Sequence, residues 1–275
     1  MNRRKVGLFL WHSSSTHVWE NRWDGGEGYQ SIFLRKGYPV YLWDGPRVGR
    51  GNFSCESYTY EPRVGQDQGN FVAWRFGPKF PEWNAGVQFP VGNKAAYEQA
   101  MRARYDEFDI AKNAHLEALA GAAAIDRVGP VVALTNSAGD WRAMLAALST
   151  KTGNLKGIVA YEPAAFVFPE GEVPQAPEGG FGPTHVPLDE FRKLTRFPIQ
   201  IVWGDYTDKG FWNATVKVSE QFVASVNRHG GHAEILMLPS VGLHGNTHIA
   251  FADMNNVAVA AQLEKWLHRN GLDGR

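Results

Sequence analysis

Short apolar runs bounded by turn residues recur along the chain and alternate with helix-patterned stretches: Val6 to Trp11, Tyr38 to Trp43, Val131 to Leu134, Ile158 to Tyr161, Ile199 to Trp203 and Ile235 to Leu238. A strand that is apolar throughout is buried on both faces, and strands separated by helices pair in parallel because a parallel neighbour requires a crossover. The pattern predicts an α/β fold with a mostly parallel sheet covered on both sides. Two apolar stripes at helical spacing, Tyr97, Met101, Tyr105 and Phe108, then Val259, Leu263, Trp266 and Leu267 before Gly271, read as the core-facing sides of such helices.

A chain of 275 residues can bury one large core, so the expectation is a single domain over 1–275. The 28 basic and 28 acidic residues cancel, which leaves no long-range field to draw nucleic acid or anionic lipid and favours a small-molecule partner. Cys55 is the one cysteine, so neither an internal disulfide nor a cysteine-rich metal site can form. The first apolar run follows Arg3, Arg4 and Lys5 but is too short for a signal peptide and reads as a core strand. The longest apolar run, Ala118 to Ile125, falls short of the roughly 18 residues that a bilayer demands. A soluble, cytoplasmic protein is expected.

Two connections are too long for a compact domain unless they carry function. One, about 45–93, holds Trp74, Phe76, Phe80, Trp83 and Phe89; the other, about 164–187, is rich in Pro, Gly and Glu. Both leave the carboxyl ends of expected strands, the edge where open α/β sheets bind ligands, and could roof a pocket like a lid. Ordered surface loops with aromatics packed on the sheet are the plainer alternative.

The run Val131 to Leu134 meets Thr135-Asn136-Ser137-Ala138-Gly139 and then a helix. A strand-to-helix turn with Ser among small residues lifts the hydroxyl above the sheet, as in a nucleophile elbow, although Thr135 stands where Gly is usual. A serine hydroxyl needs a base oriented by a carboxylate. The loop after the last strand supplies His244 and His248 as candidate bases. The acid has two sources, Glu162 after one strand and Asp205 or Asp208 after the next, and spacing does not choose between them. Ala138, just after Ser137, offers a backbone N–H to an oxyanion.

Several blocks are similar to the bacterial and fungal α/β hydrolases of the esterase 713-like family: Phe33-Leu34-Arg35-Lys36-Gly37-Tyr38, Asp44 with Arg47, Gly49, Arg50 and Gly51, Glu162-Pro163, Trp203-Gly204-Asp205, Leu238-Pro239, Gly242 to His248, Asp253 and Asn255-Asn256. The resemblance implies an α/β-hydrolase fold, a triad of Ser137, His248 and Glu162, a second oxyanion donor at the Ser14 N–H, a substrate-side or loop-shaping role for His244, and a homodimer. His12-Ser13-Ser14-Ser15 departs from the family's His-Gly pair, and losing that glycine is expected to restrict the loop and alter substrate scope.

The expected reaction is cofactor- and metal-free hydrolysis of a carboxylic ester or lactone through an acyl-enzyme. Carbon-carbon bond hydrolysis or thioester hydrolysis would use the same triad, and a ligand receptor on this fold would bind without turnover. Arg47 and Arg50 could clamp a substrate carboxylate or instead brace their loop against Asp44 or Glu61. The aromatics of the first insertion, Trp74 among them, are candidates to contact a bulky substrate.

Overall fold

The computed structural model describes residues 3–51, 63–103, 111–174 and 184–275. Cys55, Glu61, Tyr105 and Phe108 lie outside these segments. In chain order the described strands are β1 (Gly7–His12), β2 (Val40–Trp43), β3 (Val131–Asn136), β4 (Leu155–Tyr161), β5 (Val167–Pro169), β6 (Thr184–Val186), β7 (Pro198–Trp203) and β8 (His232–Met237). Each apolar run in the sequence became a strand of one sheet ordered β2-β1-β3-β4-β7-β8, while β5 and β6 pair separately. Every pairing within the large sheet is parallel.

Alternate residues of these strands feed two cores. Leu8, Leu10, Val132 and Leu134 join one cluster with Val259, Leu263, Trp266 and Leu267 of the helix Asn256–Arg269. Phe9, Trp11, Val131 and Ala133 join the other, with Ala118 and Ala122 of Ala111–Val128 and Phe222 and Val226 of Gly210–Arg228. Burial stabilises a Leu, Val or Phe side chain by roughly 1.5–3 kcal/mol, so a strand with a helix on each face gains at every residue and has no use for polar alternation.

The strand order reverses between β1 and β3: the chain leaves β1 outward to β2 and returns on the other side. Loops diverge at such a switch point, and the crevice beyond the carboxyl ends of β1 and β3 is where the fold makes room for a ligand.

The helix expected around Tyr97 spans Lys94–Arg102. The first insertion contributes a helix, Gln66–Ala73, and an aromatic cluster of its own in which Phe76 meets Phe89 at 4.5 Å and Phe71 meets Trp83 at 4.9 Å between ring centroids. Phe71, Phe76 and Phe89 are buried in the same core as the helix Asn256–Arg269, with Trp83 packed against them. Among the described residues no helix is long and apolar enough to cross a membrane.

Candidate active site

Ser137 occupies a single-residue turn between β3 and the helix Ala138–Ser149, with φ 60° and ψ −131°. Side-chain-bearing residues avoid that region at a cost of about 1–3 kcal/mol, so the surroundings must hold it there. The Ser137 N–H donates to the Tyr161 carbonyl at 3.2 Å, and its carbonyl accepts from the Asp140 and Ala164 N–H groups at 3.2 and 3.3 Å. A Cβ on Gly139 would stand 3.1 Å from the Ser13 nitrogen, so this small residue lets the helix close on the loop after β1. Thr135, where glycine is usual, is buried, and its hydroxyl donates to the Asp140 carboxyl, tying the end of β3 to the first turn of the helix. Burial pushes the Asp140 carboxyl well up, against the Thr135 hydrogen bond.

His248 is buried, with Nδ1 3.4 Å from Glu162 Oε2. Its N–H donates to the Trp74 carbonyl at 3.0 Å, its carbonyl accepts from Asn136 Nδ2 at 3.1 Å, and its ring lies 4.5 Å from that of Trp212. Glu162 follows β4 at φ 58° and is fully buried. Its Oε1 takes the Gly204 N–H and an Arg75 ion pair, each at 2.5 Å, leaving Oε2 toward the imidazole. Gly204 permits this approach, since a Cβ there would meet Oε1 at 2.9 Å and the Asn246 carbonyl at 2.8 Å. Burial pushes the Glu162 carboxyl up, but the Arg75 charge and the contacts with His248 outweigh it and hold the group below its usual range.

The other acids and the other histidine sit elsewhere. Asp205 accepts from the Tyr206 and Gly245 N–H groups, both at 2.9 Å, and so braces two loops, while Asp208 is exposed. His244 is 69% exposed, with Nδ1 3.7 Å from Asp205 Oδ2.

A hydrogen-bond web fixes the His248 loop. Asp253 Oδ2 accepts from the Thr247 N–H at 2.7 Å and Asn246 Nδ2 at 3.0 Å, while Oδ1 accepts from the Thr247 hydroxyl at 2.8 Å and Trp23 Nε1 at 3.1 Å. An amide at this position would turn its NH2 toward two donors in either orientation. Asp253→Asn is therefore expected to lower stability by about 2–4 kcal/mol in urea unfolding and to reduce any activity that uses His248. Burial pushes the Asp253 carboxyl from 3.8 up to about 7. The folded protein then keeps a proton that the unfolded chain has lost, so this group lowers stability as pH rises through that window, and the Asn variant should lose that slope. An Asn variant as stable as the parent at every pH would refute the assignment.

The loop after β1 corrects one expectation. None of Ser13, Ser14 and Ser15 has positive φ, so the absent glycine imposes no backbone strain. Instead His12 Nδ1 accepts the Ser14 and Ser15 N–H groups at 3.0 and 3.3 Å, which fixes that ring nitrogen as unprotonated. The Ser13 carbonyl accepts from Arg142 Nη1 at 2.8 Å.

His12, Ser13, Ser14, Ser137 and His248 line one cavity of about 210 Å³ with Asn70, Trp74, Ala164, Phe211 and Trp212. Both insertions thus contribute to its wall, through Asn70 and Trp74 of the first and Ala164 of the second. Ala138 is buried in the first turn of the helix beside it. Ala73, Phe211 and Trp212 also border a larger hollow of about 660 Å³, on which Arg75 and Tyr206 lie.

Three residues expected at the substrate are absent from the wall of the smaller cavity: Arg47, Arg50 and His244. Arg47 is buried at φ 66°, in a turn where its N–H donates to the Gly51 carbonyl. Arg50 pairs with Glu20 and lies 3.1 Å from His17 Nδ1, while its N–H donates to Asp44 at 3.2 Å. A guanidinium already matched by a carboxylate has little left for a substrate, and the bracing alternative describes Arg50 better, with Glu20 as the carboxylate that binds it.

Sequence reading missed Arg75 and Trp212. The Arg75 side chain is 4% exposed, donates from Nε to the Asp205 carbonyl at 2.8 Å and stacks on Trp212 at 5.1 Å. Arg75 lies in the irregular first insertion, where no periodicity marks it. Its φ of 60°, which it shares with Ser137, is visible only in the fold.

No family model matches the sequence. The chain is 24% identical over 305 aligned positions to a probable secreted lipase of a fungal species, an alignment covering 91% of this chain and 78% of that protein. A solved structure described as that of a novel bacterial esterase superposes with a TM-score of 0.79, covering 98% of this chain and 83% of that one at 24% identity.

Proposed function

We propose that this chain, which has the α/β-hydrolase fold, is a serine esterase that cleaves small carboxylic esters or lactones with Ser137, His248 and Glu162 as its triad. The reading is carried by one observation: a serine held at positive φ above the sheet shares a cavity with a buried histidine whose far nitrogen faces a buried, charge-paired glutamate.

The chemistry follows from these positions. Ser137 Oγ attacks the ester carbonyl carbon while its proton passes to His248 Nε2. Glu162 holds Nδ1–H and stabilises the imidazolium, and the Ala138 and Ser14 N–H groups take the oxyanion. Collapse expels the alcohol, which leaves with the proton from His248; a lactone opens with its alcohol still tethered. Water, deprotonated by the same imidazole, then releases the acid and restores Ser137. The Trp212 ring lies against that of His248, 4.5 Å between centroids with the planes 38° apart, and Asn70, Trp74 and Ala164 of the two insertions stand on the cavity wall.

A cavity of about 210 Å³ favours a short acyl group. Among 4-nitrophenyl esters, kcat/KM is expected to peak at acyl chains of about two to four carbons and to fall at least about tenfold by eight carbons, as the longer chain has no room to be buried. Phe211 borders both cavities, so Phe211→Ala should join them and narrow the gap between butyrate and octanoate. Failure of the wild type to turn over any ester of the series, or any simple lactone assayed beside it, would sink the proposal. The fungal relative is named as secreted; with a single cysteine and so no internal disulfide, this chain does not require an oxidising compartment.

A further inference from the structure

Beneath the loop after β1 lies a buried charged group with no part in the triad. Arg142, on the helix that begins just after Ser137, has a side chain only 1% exposed. Its Nη1 reaches the Ser13 carbonyl at 2.8 Å and Glu117 Oε2 at 3.2 Å, and Glu117 Oε1 accepts from Asn113 Nδ2 at 2.6 Å. Burying a guanidinium and a carboxylate side by side gives little net stability compared with apolar residues of the same size, so the pair invites a reason beyond folding.

The Ser13 carbonyl and the Ser14 N–H belong to one peptide group, which is planar and points them in opposite directions. Arg142 fixes the carbonyl end, and His12 Nδ1 receives the N–H end at 3.0 Å. The plane of this peptide is therefore set from both sides before substrate arrives. A positive donor on a carbonyl also draws electron density from the amide nitrogen and strengthens the N–H as a donor. Because Arg142 and Ser137 stand on the same strand-to-helix unit, the nucleophile and this peptide keep a fixed relation to each other.

We propose that Arg142, oriented by Glu117, is a positioning residue for the oxyanion hole: it holds and polarises the Ser13–Ser14 peptide so that the Ser14 N–H, while staying on His12 Nδ1, is shared with the developing oxyanion. This rests on the serine-esterase reading above. Arg142 touches no substrate atom in this role, and its effect falls on the transition state rather than on ester binding.

The test compares wild type, Arg142→Lys and Arg142→Met, each with its thermal unfolding midpoint measured, by ester kinetics and by inhibition with an aryl trifluoromethyl ketone, which forms a tetrahedral adduct on serine. Lysine keeps a positive charge for Glu117 but ends one bond short of the position from which Arg142 Nη1 reaches both acceptors, so a folded variant remains available even where Met fails to fold. In the Lys variant kcat is expected to fall about 10- to 100-fold with KM within about twofold, and the ketone should lose affinity by the same factor as kcat/KM. A role in folding alone would lower the unfolding midpoint and leave ketone affinity of the folded protein unchanged; that result overturns the proposal and spares the esterase reading. A wild type that neither hydrolyses esters nor binds the ketone overturns both.

Discussion

Replacing Ser137 by Ala is expected to lower kcat/KM for an activated ester by about 10⁴- to 10⁶-fold, His248→Ala to cost about as much, and the double variant little more than either single one. The non-additivity is the informative part. A hydroxyl without its base and a base without its hydroxyl are equally unable to attack, so the second deletion removes nothing still in use. Residual turnover would come from the oxyanion donors and the cavity, which both variants keep. The large effect should also arise without gross unfolding: Ser137→Ala removes only the hydroxyl and keeps the backbone hydrogen bonds to Tyr161, Asp140 and Ala164 that hold the turn. Midpoints of thermal unfolding for the Ser137 variant within a few degrees of wild type, alongside the kinetic loss, would separate chemistry from folding. Independent, additive losses from Ser137 and His248 would mean that the two do not act as one unit.

Glu162→Gln should lower kcat by about 10³- to 10⁴-fold with little change in KM, because the amide neither stabilises an imidazolium nor enforces the tautomer with hydrogen on Nδ1. It should also destabilise the protein, since Arg75, 4% exposed at its side chain, would lose its carboxylate. Breaking a buried pair from one side typically costs about 3–5 kcal/mol. Adding Arg75→Met to Glu162→Gln removes the stranded charge and is expected to recover much of the stability but none of the kcat. The pH dependence follows from the same contacts. The folded-state carboxyl of Glu162 is held below its ordinary value of 4.5, so its contribution to stability is present above that value and is lost as pH falls through the depressed folded-state range. The wild type should therefore show an acid destabilisation that the Gln variant lacks. Full recovery of kcat in the double variant would show that Glu162 serves only to neutralise Arg75.

The framework was legible because burial on two faces writes itself into β1, β3, β4 and β7 as uninterrupted apolar runs, and because the turn at Ser137 needs small neighbours that the sequence displays. The choice of Glu162 over Asp205 was not legible from spacing: both follow adjacent strands, and only the fold reveals that Asp205 is taken up by the N–H groups of Tyr206 and Gly245. Likeness to known hydrolases chose Glu162, and the geometry is consistent with that choice. Arg75 and Trp212 were invisible for a different reason. Their partners are 87 and 36 residues away along the chain, counting Arg75 to Glu162 and Trp212 to His248, so no local pattern encodes the contacts. For Arg50 the sequence left clamp and brace both open, because its partner Glu20 stands 30 residues away along the chain and no local pattern displays the pair.

The most direct measurement is intact-mass and peptide-mapping analysis of the folded protein after treatment with a fluorophosphonate, in wild type and in Ser137→Ala. A single adduct on the peptide containing Ser137, absent from the Ala variant and lost in parallel with ester turnover, is the expected result. An unlabelled but folded wild type, or an adduct on any other residue with Ser137 left bare, would contradict Ser137 as the nucleophile.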